Sequence, residues 1–415
     1  MGVELEYLAS RLTAAMGLIV LIGIAWLFSV DRSRFPLRVV LWGVGLQFAI
    51  GLLLLVSNVG QGFFIGMSNG VNKLLGFVEQ GSRFMFGPLM DTGFSFVLNV
   101  LPGIIVLGAL FQILYHLGIA QFLVRQVARL LSRAMSLSGV ESLAAAANIF
   151  VGQTEAPLLV KPYISRMTQS ELFALMAVGM ATVAGSVMLA YTQMLGSQFA
   201  GHLVTASLMS APAALLIAKI MVPEDGTPLT MGDNGMDIER TTVNVIDAAA
   251  EGALSALRLA ANIGALLIAF VTLVAMLNAF IGWAGGLFGL ETLSLEGIFG
   301  MILAPFAWLM GIPWSEAQQV GSLIGIKTVA NEFVAYVELG KQISDESLSH
   351  RSSVIASYAL CGFANFSSIA IMIGGIGGMA PHRRHDIARF GLRAVLAGTL
   401  ATQMTGCIVS ILWTG

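Results

Sequence analysis

Two carboxylates sit in the most apolar surroundings of the chain: Glu155, within VGQTEAPLLVKPY (151–163), and Glu332, within NEFVAY (331–336). A carboxylate at the middle of a membrane costs at least ~2.5–3.5 kcal/mol, so an acid kept there marks a functional site by default. The plainer alternative is a structural pair such as Glu155 with Lys161. Lys161 itself reads as architecture, a long side chain snorkelling toward an interface. Gln153 and Thr154 supply a carboxamide and a hydroxyl, groups that both donate and accept. They suit a planar ligand with alternating donors and acceptors, such as a nucleobase edge; capping of a helix tip is the alternative.

Further along, Asn365, Ser367 and Ser368 interrupt an apolar run just after Gly362 and Phe363. An unwound stretch there would present free backbone groups beside Asn and Ser side chains, although a serine can also bond back to its own helix. Asn148, Thr182 and Ser186 add neutral oxygens which, with carbonyls from frayed helix ends, make a cage for a hard cation. Ordinary packing explains the same residues equally well. Other patterns carry little. GIGGMA (375–380) fits G-x-G-x-x-A, but it closes an apolar run into Pro381, where a dinucleotide fingerprint must open a helix after a strand. The five histidines fall at the ends of apolar runs or in loops, without metal-ligand spacing. Cys361 and Cys407 lie in apolar context and read as reduced, structural thiols.

The elements that must hold these groups are membrane helices. The chain has 415 residues, 57% hydrophobic and only 11% charged, with a mean hydropathy of +0.85. A globular protein carries about 25% charged residues, so lipid is the solvent here. A net charge of −2 gives no basic face for nucleic acid. Eight runs reach the ~20 residues needed to cross the hydrocarbon core: 9–30, 37–58, 91–116, 170–195, 200–222, 253–282, 352–379 and 386–413. The first reads as a transmembrane helix and not as a signal peptide, because no cationic leader precedes it. Segments 60–86 and 119–136 are amphipathic, the second with Arg125, Arg129 and Arg133 on one wet face. Segments 138–165 and 311–340 are too interrupted for spans and too apolar for loops, which predicts re-entrant hairpins.

Arg32, Arg34 and Arg38 after the first span, and the PHRRHDIAR loop (381–389), place those turns in the cytoplasm and both termini outside. The first hairpin then enters from the cytoplasm and the second from outside. A hydrophilic linker, 223–251, separates two halves that resemble each other: each has a polar hairpin followed by a span with a polar centre. The fold expected is all-α, with eight transmembrane helices and two oppositely oriented re-entrant helical hairpins in an inverted repeat. Such repeats place a substrate site at the bilayer midplane between interrupted helices.

GQTEAPLLVKPY, NEFVAY and CGFANFSSIAI closely resemble the concentrative nucleoside transporters, of the shorter, eight-span bacterial kind, and the resemblance runs along essentially the whole chain. It implies sodium-coupled import of nucleosides such as uridine, cytidine or adenosine across the inner membrane, by an elevator motion within a homotrimer. Residues 1–118 and 253–285 would form a scaffold. Residues 119–222 and 286–415 would form a mobile transport domain, and 223–252 a cytoplasmic linker. By position, Gly152, Gln153, Thr154, Glu155 and Val187 match the base-recognising residues. Glu332, Asn365 and Ser368 match the ribose-binding ones, and Phe363 an aromatic beside the nucleoside. Sodium would be held by the side chains of Asn148 and Thr182 and the carbonyls of Val151 and Val183. Thr182 replaces a Ser of related proteins and keeps the hydroxyl. Proton-coupled relatives resemble G-Q-S-E-N where this chain has G-Q-T-E-A-P, which favours sodium; proton coupling is the alternative. An intramembrane hydrolase using Glu155 or Glu332 as a base is a remote one, and nothing in the sequence points to it.

Overall fold

The computed structural model describes residues 2–92, 95–232, 242–287, 289 and 293–413, which are helices and the turns between them, with no strand. Seven helices are long and apolar enough to cross a membrane: Tyr7–Leu27, Leu37–Val56, Phe96–His116, Gln169–Leu195, Ser197–Met221, Val245–Gly286 and Pro381–Leu412. The expected run 352–379 is two shorter helices, His350–Leu360 and Phe366–Met379, separated by the unwound stretch expected at its polar cluster. Gln169–Leu195, expected to be continuous, is also interrupted, into Gln169–Ala181 and Gly185–Leu195. Between these halves Thr182 (φ −116°, ψ 165°) and Ala184 (φ −69°, ψ 138°) are extended.

The sixth span begins eight residues before its expected start at 253, because Asn244 caps it by accepting from the Asp247 N–H at 2.9 Å and good helix formers follow at once. The linker is correspondingly shorter than 223–252, and its central residues 233–241 lie outside the described residues. Both expected hairpins are present as helix–turn–helix units. The first runs from Gly139–Asn148 through a turn to the short helices Ala156–Leu159 and Lys161–Ile164. Pro157 and Pro162 sit in the first turns of those helices, where a missing N–H costs nothing. The second pairs Trp314–Val329 with Glu332–Ser344, and is preceded by Leu295–Leu309, bent 115° from its first arm. The two halves thus share one order: hairpin, broken span, unbroken span.

The hairpins are rooted at opposite ends of the bundle. At one end the Gly139 N–H donates to the Thr230 carbonyl (2.9 Å), and Arg383 donates to the carbonyls of Ile164 and Met167. Arg38 reaches the carbonyls of Arg133 and Ala134 at that same end. This agrees with the shared side expected for these basic segments. At the other end, Ser10 bonds the Gly311 carbonyl, Ser349 bonds Glu316, and Arg351 bonds the Trp413 carbonyl.

The root of the first hairpin is an ionic clasp. Two capping boxes, Ser138 with Glu141 and Thr168 with Glu171, start the helices that follow them. Ser138 Oγ donates to Glu171 Oε1 at 2.7 Å, joining the boxes. Buried Lys219 pairs with Glu141 and Glu224 and donates to Ser170 Oγ at 2.9 Å. Charges this far from water persist only when each is paired and hydrogen-bonded.

Burial separates core from periphery. The fourth, fifth and last spans are 89%, 89% and 78% buried along their most apolar windows, against 28%, 22%, 17% and 6% for the first, second, third and sixth. The third and sixth spans pack on each other through small residues. A Cβ at Gly108 would lie 2.3 Å from Ala256 Cβ, and one at Gly252 would lie 2.5 Å from the Gly108 carbonyl oxygen. Gly252→Leu is therefore expected to push these helices apart and to cost about 1–3 kcal/mol. Thermal unfolding of the purified variant in detergent, beside the parent, checks this through a lowered transition temperature.

Candidate functional site

Four helix ends converge where the two broken spans cross. A Cβ at Gly362 would lie 2.9 Å from the Met180 carbonyl and 3.0 Å from that of Ala181, so the break after His350–Leu360 rests on the break after Gln169–Ala181. The tip of the first hairpin docks at the same point. The Gly185 N–H donates to the Phe150 carbonyl at 3.0 Å, satisfying a group that the break would otherwise leave bare. Gly185 has to be glycine: a Cβ there would lie 2.8 Å from that carbonyl oxygen and 2.5 Å from the Phe111 ring.

Glu332 is the first residue of the second hairpin's return helix and is buried. The helix N-terminus itself favours a carboxylate there. Tyr191 Oη donates to Glu332 Oε1 at 3.1 Å, and Asn365 Nδ2 donates to Oε2 at 3.1 Å. Asn365 also caps Phe366–Met379, its Oδ1 accepting from the Ser368 N–H at 2.9 Å and from Ser367 Oγ at 2.7 Å. Gln153 Nε2 donates to Ser368 Oγ at 3.1 Å. One hydrogen-bonded path therefore runs Gln153–Ser368–Asn365–Glu332–Tyr191 through both hairpins and both broken spans. Charge-assisted bonds of this kind are about twice as strong as neutral ones.

The sequence-predicted residues divide by exposure. Gly152, Gln153, Val187, Glu332, Asn365 and Ser368 are buried, whereas Thr154 and Phe363 are half-buried. Glu155, expected to be among the acids deepest in apolar context, is exposed, and its carboxylate has no hydrogen-bond or ion-pair partner among the described residues. The helix before it ends at Asn148, and the turn carries its carboxyl out of the packed interior. A Cβ on Gly152 would lie 2.4 Å from Glu155 Oε2, so glycine lets that carboxylate fold over the backbone of the tip. No ion pair joins Glu155 to Lys161, which is also exposed.

Gln153 and Met372 both pack against Gly179, and Thr154 approaches Gly375, seating the tip between the two broken spans. Gln153 Oε1 is buried without a partner, which leaves an acceptor for a ligand's donor.

The neutral-oxygen set comes from the ends of Gly139–Asn148 and Gln169–Ala181. Asn148 Nδ2 donates to the Ala144 carbonyl at 3.0 Å, while its Oδ1 is buried without a partner. Thr182 Oγ1 donates to the Val178 carbonyl at 2.9 Å and keeps its lone pairs. Val151 and Val183 are the turn residues beside them, outside regular helix. An orphaned buried amide oxygen, a hydroxyl and unwound carbonyls suit a hard cation, which takes oxygen donors.

Sequence reasoning missed three members of this region: Tyr191, Tyr336 and Lys327. Tyr336 lies 4.4 Å from Tyr191, centroid to centroid, and donates to the Ser357 carbonyl at 2.8 Å. An isolated tyrosine in an apolar span gives no sign of its partner. Lys327 carried a signal, as the first basic residue after a gap beginning at Leu259. A cleft of about 460 Å³, lined by Asn72, Glu79, Asn99, Thr192 and Gln193 among others, opens between peripheral helices and the end of Gly185–Leu195. It contains none of the sequence-predicted residues, and the converging polar groups locate the chemistry at the crossing instead.

Comparison with known proteins follows from this geometry. Models described as Na+ dependent nucleoside transporter N-terminus, nucleoside recognition (Gate), and Na+ dependent nucleoside transporter C-terminus match residues 16–89, 97–198 and 202–410. The uncharacterized transporter YutK of Bacillus subtilis is 47% identical, over 95% of this chain and 98% of that one. The nucleoside permease NupC of Helicobacter pylori is 41% identical, over 97% and 98%. The structure of CNTnw in an inward-facing substrate-bound state aligns with a TM-score of 0.90 at 43% identity, covering 97% of this chain and 98% of that chain.

Tyr191→Phe tests the central network. It leaves one oxygen of a buried carboxylate without its donor, and is expected to cost about 1.5–3 kcal/mol of stability. Chemical denaturation followed by tryptophan fluorescence measures this, with Tyr163→Phe, outside the network, as the control expected to change little.

Proposed function

Since the chain belongs to the concentrative nucleoside transporter family, we propose that it imports nucleosides across the inner membrane, driven by sodium, through an elevator motion of its core against its periphery. The family consists of carriers and not of enzymes, which removes the intramembrane hydrolase. The observation that carries the reading is the single hydrogen-bonded path from Gln153 to Glu332, which joins the tip of the first hairpin, the start of Phe366–Met379 and the start of the second hairpin's return helix.

In this reading Gln153, Thr154 and Glu155 meet the base edge, with Gly152 and Val187 shaping its slot. Glu332, Asn365 and Ser368 meet the sugar, beside the Phe363 ring. A carboxylate accepts from both ribose hydroxyls, and sites built on such groups reject analogues that leave the acceptor unpaired. Tyr191 and Asn365 hold the Glu332 oxygens while each retains a further lone pair for the sugar.

Sodium is cargo here. Asn148 and Thr182 offer side-chain oxygens to it, and Val151 and Val183 their carbonyls. Because the same hairpin tip carries Gln153 and Thr154, bound sodium orders the base-recognising residues, so ion and nucleoside bind with reciprocal coupling. One positive charge moving inward gains ~2.3 kcal/mol per 100 mV. With ~1.4 kcal/mol per tenfold, that sustains roughly 40-fold accumulation before any sodium gradient is added.

The division of the chain follows its burial. The first three spans and the sixth form the scaffold, and the hairpins with the fourth, fifth and remaining spans form the moving unit. The sparsely covered sixth span offers the apolar surface on which copies of the scaffold assemble as a trimer. Both termini lie on the periplasmic side, as the arginine distribution requires.

Uptake of radiolabelled uridine into proteoliposomes is expected to require an inward sodium gradient. Equal uptake driven by a pH gradient alone would overturn sodium coupling in favour of proton coupling. Glu332→Gln is expected to weaken uridine binding by at least ~10-fold while the protein stays folded; normal affinity in that variant would remove its sugar role. Asn148→Ala is expected to abolish the sodium dependence of nucleoside binding, read by titration with and without sodium. Sodium dependence unchanged in the variant would place the ion elsewhere.

A further inference from the structure

Lys327 sits in the last turn of the second hairpin's first arm and is fully buried, among the largest side chains so enclosed. Its Nζ donates to the Ala359 carbonyl at 2.9 Å and to Thr402 Oγ1 at 3.1 Å. It forms no ion pair among the described residues. A buried ammonium without a carboxylate is among the costliest groups a protein can hold, and replacing it with a well-packed apolar side chain is often neutral or stabilising. A purely packing role therefore does not explain a lysine here.

Its position does. Ala359 lies in the last turn of His350–Leu360, whose final carbonyls lack helical partners and form the negative end of the helix dipole. Tyr336, from the hairpin's other arm, donates to the Ser357 carbonyl in the same turn. The downstream half of this broken span is held by the same hairpin through Glu332 and Asn365. The second hairpin thus grips both lips of the break, and Gly362 and Phe363 lie between the grips. Lys327 and Glu332 lie five positions apart, in the last turn of one hairpin arm and at the start of the other.

We propose that Lys327 is a positioning residue for sugar recognition: it fixes the upstream lip of the break and supplies the counter-charge that keeps Glu332 an acceptor for a nucleoside's paired hydroxyls. This rests on the sugar role of Glu332 proposed above. Thr402, on the last span, orients the ammonium and shares the task at one remove.

Full-length Lys327→Met, Lys327→Gln and Thr402→Val, purified in detergent, are titrated with uridine and with 3′-deoxyuridine, and thermal unfolding is followed in parallel. The parent protein is expected to prefer uridine by at least ~10-fold. Lys327→Met, with an unfolding temperature equal to or above the parent's, is expected to lose about 10-fold or more in uridine affinity. It should lose far less for 3′-deoxyuridine, so that the preference collapses. Lys327→Gln, which keeps a donor without the charge, and Thr402→Val should shift the preference in the same direction by less.

An equal loss for both ligands, or an unchanged preference in folded Lys327→Met, overturns the assignment. If the Met variant fails to fold, an unchanged preference in Lys327→Gln and Thr402→Val overturns it. A parent protein indifferent to the 3′-hydroxyl overturns the sugar role of Glu332 and this inference with it.

Discussion

The Glu332 carboxylate, bonded on one oxygen by Tyr191 and on the other by Asn365, is the interaction on which the rest of the architecture depends. Breaking a helix inside an apolar medium bares amide and carbonyl groups that no water can reach, each at a cost of several kcal/mol. Two such breaks in one small volume would be untenable unless each supplied the other's partners. They do so here with few groups. Asn365 caps one half-helix and holds the acid, and the Phe150 carbonyl takes the Gly185 N–H. Glycines at 185 and 362 let backbone meet backbone. The polar centre is thus the means by which the broken spans are tolerated.

How much of this was legible in the sequence depends on whether the cause was local. Pro157, Pro162 and the capping residues around 138 and 168 act within a few positions, so the hairpin at 138–165 could be read from composition alone. The break at 361–365 was visible because Gly362, Asn365 and two serines interrupt the apolar run. The break at 182–184 was not: MATVAGSVML reads as a continuous helix, and it unwinds because the Phe150 carbonyl and the Met180–Gly362 contact reach it from elsewhere in the chain. Glu155 shows the opposite failure. Its neighbours are apolar, which suggested burial, but the turn after Asn148 carries the carboxyl outward. The partners of Tyr191 and Lys327 were hidden for the reason the break at 182–184 was: groups 141 and 32 positions away cannot be inferred from neighbours.

The two ends of the first hairpin obey different physics. Its root is an ionic clasp, with Lys219 between Glu141 and Glu224 and two capping boxes joined through Ser138 and Glu171. Its tip is held by neutral bonds and close glycine contacts. Paired charges in a dry setting are expensive to separate once formed, so the root resists opening. Neutral contacts at the tip exchange at smaller cost. The tip can therefore be displaced at smaller cost than the root.

The sixth span carries a consequence for the surrounding lipid. From Leu259 to Gly286 it has no charged residue, only the polar Asn262 and Asn278, the latter donating to Glu296; at ~1.5 Å per residue that is about 42 Å of helix. The hydrocarbon layer is only about 30 Å thick. A helix longer than that layer leans or thickens the bilayer around it, and mismatch of this kind costs fractions of a kcal/mol per ångström. Since this helix is packed along the third span through Gly108 and Gly252, its neighbour inclines with it. Acyl-chain length thus becomes a mechanical load on the periphery of the protein, borne by the third and sixth spans.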